Sequence, residues 1–141
     1  MNTLLKNLLV LSASALTLQA QAAPYTAIVP AKSSVTFSYK QMGVAMDGRF
    51  KKFAAQVNFD PAKAEQAKAS FDVDLASVDT GSGEADDEVV TKSWFNTAAF
   101  PKASFVAKQI KQTAPNQYEV QGTLSIKGLS RDVKFPMKHT A

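Results

Sequence analysis

Cysteine is absent from this 141-residue sequence, and that absence excludes a great deal. The fold is held by packing without disulfides. Thiol catalysis, thiolate metal centres and a lipid-modified cysteine behind a leader are excluded with it. Histidine is almost absent as well. His139, the single one, stands near the end of the sequence and supplies neither a metal triad nor a histidine relay. The apolar run from Leu8 to Leu18 falls short of the roughly 20 residues that a membrane-spanning helix needs. The formal net charge of +4 is not gathered into a basic stripe. Lys and Arg are scattered as on solvated faces, which argues against nucleic-acid binding.

What is present begins with a leader. Lys6, the apolar run after it and Ala20-Gln21-Ala22 as a small-x-small cleavage site read as a cleavable secretory signal peptide over residues 1–22. Residues 23–141 remain as one exported, soluble domain, long enough to bury a core.

Six stretches of that domain alternate apolar and polar residues with period two, the mark of strands buried on one side and wet on the other. SSVTFSYK puts Val35, Phe37 and Tyr39 on one face, and FAAQVNFD puts Phe53, Ala55, Val57 and Phe59 there. SFDVDLAS buries Phe71, Val73 and Leu75 and leaves Asp72 and Asp74 in water. YEVQGTLSIK buries Tyr118, Val120, Gly122, Leu124 and Ile126, and DVKFPMK buries Val133, Phe135 and Met137. In KASFVAKQI, Phe105 on one parity competes with Val106 and Ile110 on the other, the pattern of a strand wet on neither side. Met42-Gly43, Asp47-Gly48, Pro115-Asn116 and Lys127-Gly128 carry turn chemistry, Asp60-Pro61 opens a short turn or helix, and Glu84 to Lys92 is an acid-started helix. The expected class is all-β, an antiparallel sandwich or barrel with one or two short helices. Small inward residues, Ala55 and Gly122, leave room inside, and the periodicity is equally consistent with a filled barrel and a hollow one.

Catalytic motifs do not emerge. Asp79-Thr80-Gly81 matches the aspartic-protease signature, but those enzymes pair two carboxylates over one proton, and a polar turn before an acidic helix accounts for the triplet. The acids from Asp79 to Glu88 lack the spacing of a calcium loop. Gly81-x-Gly83 lacks the Lys and Ser/Thr of a phosphate loop. The expectation is a protein that is not an enzyme, with neither metal nor cofactor.

One stretch fits no period. In SWFNTAAFPKASF, Trp94, Phe95, Phe100 and Phe105 recur at neither the strand nor the helix spacing. The order of SSVTFSYKQMGVAMDGRFKKFAAQVNFDP, ASFDVDLASVDTG, an acidic helix, SWFNTAAFPKASF and YEVQGTLSIKGLSRDVKFPM resembles the YceI-like family from about Ala31 to Met137. That resemblance implies a lipocalin-like antiparallel β-barrel, usually periplasmic, around an elongated apolar pocket for a polyisoprenoid or quinone-type lipid or a similar amphiphile. By the same resemblance the helix and the Trp-Phe loop pack over the barrel, with Trp94, Phe95 and Phe100 helping to close the cavity. Strand parity adds Phe37, Tyr39, Val57, Phe59, Phe71 and Val73 as ligand-binding candidates, with Tyr118, Leu124 and Ile126 across from them. Members of that family usually run on past the point where this sequence stops, with chain that supplies the last strands, so the expected barrel is incomplete. The expected partner is an isoprenoid or amphiphilic lipid, with a membrane protein or a second copy of the chain as further candidates. The rival expectation is a solid-cored interaction module that docks to a membrane or stress-response partner.

Overall fold

Two tight turns set the hairpins. Met42-Gly43 (φ 51° and 81°) and Lys127-Gly128 (φ 51° and 75°) each place two successive residues in the left-handed region, the two-residue hairpin turn whose twist matches that of paired strands. They join β1 (Val35–Gln41) to β2 (Val44–Phe50) and β7 (Gln117–Ile126) to β8 (Leu129–Lys138). The computed structural model describes residues 22–140, so all of the leader but Ala22 lies outside the described residues.

The architecture is antiparallel β throughout. One sheet has the order β1-β2-β5 and the other β3-β4-β6-β7-β8, where β3 is Phe53–Asn58, β4 Lys68–Asp74, β5 Val78–Asp79 and β6 Lys102–Ala114. The two sheets meet at a corner. β2 runs into β3 through Lys51 and Lys52 alone, and opposite them β4 runs into β5 through the 3-10 turn Leu75–Ser77. Backbone bonds carry the pairing round the bend, from Lys51 N to Ser77 O and from Asp74 N to Lys52 O, both 3.0 Å. The buried Ser77 hydroxyl completes it, accepting from Lys52 N at 2.9 Å and donating to Asp74 O at 2.6 Å. The result is six ribbons, β1, β2–β3, β4–β5, β6, β7 and β8, that curve around one interior. Among the described residues the sheets do not close into a full barrel: β1 and β5 edge one sheet, β3 and β8 the other.

Four expectations about the strands and their turns need correction. Asp47-Gly48 is no turn but the middle of β2, where the Asp47 carboxylate accepts from Ser38 Oγ at 2.9 Å and Gly48 lies beneath the Phe37 ring. In β6, Phe105 and Ile110 are both buried because the register slips between Ala107 and Gln109. A β-bulge there reverses the parity, so the conflicting alternation describes one face on either side of a kink; Val106 is exposed, and the strand is wet on its outer side. Leu75 leaves the strand for the 3-10 turn, which the Asp74 carboxylate caps by accepting from Ala76 N at 3.1 Å. Gly122 leaves no free room, because the Phe105 ring fills it, with Cζ 2.5 Å from where a Cβ would stand.

The densest packing gathers Phe59, Ala64, Phe105, Ile110, Tyr118 and Val120. Phe59 meets Tyr118 edge to face at 5.2 Å, and the Tyr118 hydroxyl donates to Pro61 O at 3.2 Å. That ties in the 3-10 turn Pro61–Gln66, whose start Asp60 caps by accepting from Ala62 N. Leu75, at 2% exposure, Val78 and Ala103 are buried near the corner.

Candidate ligand-binding cavity

Helix α1 (Gly83–Val89) and the loop after it form the remaining wall. Ser82 caps the helix, with Glu84 and Asp86 in the first turn, where carboxylates suit the helix dipole. The helix stops at Val89, short of the Lys92 expected from sequence, because the chain folds back on it: Phe95 N donates to Val89 O at 2.9 Å and Thr97 N to Val90 O at 3.1 Å. The aromatic loop is therefore a hydrogen-bonded flap, and its Trp94 Nε1 donates to Glu88 Oε1 at 3.3 Å.

The protease-like triplet is part of the same support. Asp79 accepts from Gly81 N and from Arg49 Nε, both at 3.1 Å, and these bonds hold its carboxyl below the ordinary range, the backbone bond foremost. Thr80 donates through both its amide and its hydroxyl to Asp86 Oδ1 at 2.7 Å, while its carbonyl accepts from the Tyr39 hydroxyl at 2.8 Å. Asp79 thus ties the turn to β2 through Arg49, and Thr80 ties it to β1 and α1.

Between the β1–β2 hairpin, the corner and this helical flap lies a cavity of about 910 Å³. Its size falls within the range of small-molecule sites. Phe37, Phe50, Val73, Val78, Phe95 and Ile126 form apolar walls. The charged groups that touch it, Lys40, Glu84 and Glu88, are all exposed and stand at the rim. Buried Thr80 is already hydrogen-bonded, so the walls suit a tail with no polar groups.

Of the twelve candidates read from the sequence, Phe37, Tyr39, Val73, Trp94, Phe95 and Ile126 line this cavity. The other six lie elsewhere. Phe59 and Tyr118 belong to the packed cluster, with Val57 and Leu124 against it; Val57 also borders a second groove of about 640 Å³ that includes Gln56, Lys68 and Lys108. Phe71 stacks on Phe105 and is 37% exposed, and Phe100 lies over Gly128. Sequence reasoning missed Phe50, hidden in the strand mistaken for a turn, and Leu75, Val78 and Ala103 at the corner. It also missed Ala85 and Val89 of α1, whose spacing of four residues, one helical face, was the available signal.

The mostly antiparallel β fold of this chain is one that known proteins share. The sequence model of the YceI-like domain matches residues 26–141, and the chain belongs to that family. A UPF0312 protein of Photorhabdus laumondii is 32% identical over 91% of the chain and 69% of its own length. One from Shewanella denitrificans is 32% identical over 73% of the chain and 54% of its own. Among solved structures, Burkholderia cenocepacia BcnA superposes with a TM-score of 0.75 at 45% identity, covering 77% of this chain and 69% of that one. The Campylobacter jejuni YCEI protein gives 0.63 at 29% identity, over 79% and 66%. The chain thus spans between about half and two thirds of these relatives' lengths.

Proposed function

We propose that this chain is an exported, periplasmic, non-catalytic binding protein that holds the tail of a polyisoprenoid or quinone-type lipid in the cavity behind the flap. The observation that carries the reading is the division of the lining: apolar, largely aromatic walls inside and every charged group at the rim. An isoprenoid tail asks for no hydrogen bonds. Each five-carbon unit buried contributes about 4 kcal/mol at about 0.8 kcal/mol per carbon, so two to four units offset an association cost of about 4–15 kcal/mol. Head-group contacts fall to Lys40, Gln41, Ser82, Glu84 and Glu88 at the mouth.

The test is native mass spectrometry on protein recovered without detergent from the exported fraction, followed by organic extraction. One lipid per chain is the expected result. A folded chain that carries no added mass, even after incubation with a prenyl quinone, would overturn the reading and favour an interaction module.

A further inference from the structure

The tip of the β1–β2 hairpin breaks two rules at one residue. Met42 is 99% exposed and adopts φ 51°, in a turn position that favours Asn, Asp or Gly. Folding gains nothing from methionine there: an Asn at the same place would be conformationally easier and better solvated. The equivalent position of the β7–β8 turn holds Lys127, a polar residue. Beside Met42, Val44 is 62% exposed, and no acidic residue occurs from Lys40 to Met46.

The apolar tip continues the cavity. Along β2 the face that includes Phe50, a cavity wall, runs on through Gly48 and Met46 to Val44, and on β1 Tyr39 and Gln41 line the cavity up to the turn itself. An unbroken stripe therefore leads from the interior to the exposed tip. The other side of the mouth has a second exposed apolar group, Trp94, at 56%.

We propose that this tip is a membrane-docking element: Met42 and Val44 enter the interfacial region of a lipid bilayer and bring the cavity mouth against it, so that an apolar tail passes along the stripe without crossing water. The bilayer is favoured over a protein partner because the tip is a narrow two-residue apolar wedge beside a lone Lys40, which suits insertion between lipids and offers little of the area that a protein interface requires. The inference rests on the lipid-binding reading for its purpose, but its test does not.

The experiment is flotation of the protein with protein-free phosphatidylethanolamine/phosphatidylglycerol vesicles, compared with Met42→Asn. The wild type is expected to float and to shift its single-tryptophan emission to the blue. Met42→Asn should fold at least as stably, keep any lipid already bound, and lose vesicle affinity about tenfold or more, the effect of removing one buried apolar side chain. Equal flotation of the two proteins would overturn the proposal, as would binding to native membranes but not to protein-free vesicles, which would assign the tip to a membrane protein. A wild type that carries and takes up no lipid, yet floats and loses flotation on Met42→Asn, would refute the cavity reading and leave the docking tip standing.

Discussion

Gly48→Ala tests how the cavity wall is built. A Cβ at Gly48 would strike the Phe37 ring, with Cε2 at 2.7 Å and Cζ closer still, and would stand 3.0 Å from Asp79 O. The ring must tilt away, and Phe37 lines the cavity. Replacing glycine within a strand by alanine gains about 0.5–1 kcal/mol from chain entropy, while forcing a packed ring from its seat costs about 1–3 kcal/mol. The net runs from no change to a loss of about 2.5 kcal/mol, with weaker lipid uptake as the ring moves. In a Phe37→Leu background the atoms that obstruct the new methyl are gone, and the same change should keep the gain of about 0.5–1 kcal/mol. Urea unfolding of the four proteins therefore yields a coupling of about 1–3 kcal/mol, the cost of displacing the ring. Additivity within about 0.5 kcal/mol, or a Gly48→Ala protein more stable than its parent, would refute the reasoning.

Phe59→Ala should lose about 3–5 kcal/mol of stability, since the ring fills a packed cluster away from the cavity, and an unchanged lipid affinity per folded molecule would accompany it. Ser77→Ala should cost about 1–3 kcal/mol, because the Lys52 amide and Asp74 carbonyl bound by that hydroxyl lose a partner at the corner; a thermal midpoint equal to the parent's would contradict the corner's role. For pH, the Asp79 carboxyl is held low by Gly81 N and Arg49, so its contribution is fully present above the unfolded value of about 3.9 and is lost as pH falls through the lowered folded value. Asp79→Asn should flatten that acid limb in denaturation curves taken between pH 2 and pH 5, leaving an equal slope only if the bonds to Gly81 and Arg49 contribute nothing.

The alternation of polar and apolar residues made most ribbons legible, since a half-buried strand writes its two faces into the sequence. It failed where the backbone departs from a straight strand. The bulge in β6 scrambled the parity of Phe105 and Ile110, and the corner at Leu75–Ser77 removed Leu75 from its strand. β2 escaped notice because an Asp-Gly pair reads as a turn until the Phe37 ring covering that glycine is seen. The cavity was half legible for a related reason: strand parity says which way a side chain faces but not how far along the interior it stands. Phe59 and Tyr118 face inward as expected, yet they pack solidly, while Phe37 and Ile126 line open space. The family resemblance placed Trp94 and Phe95 at the cavity, and no period did.

The sequential meander of β6, β7 and β8 has a kinetic consequence. Its pairings join neighbours through turns of two residues, so little loop entropy is lost in forming it, and low contact order favours early assembly. The cavity depends on closures of longer range: β2 must find β5, and the segment 80–101 must return from β5 to β6. The binding chamber is thus expected to be completed late, on a template of strands already in place, and slow-folding variants should cluster in the meander while variants of the corner and flap chiefly hasten unfolding.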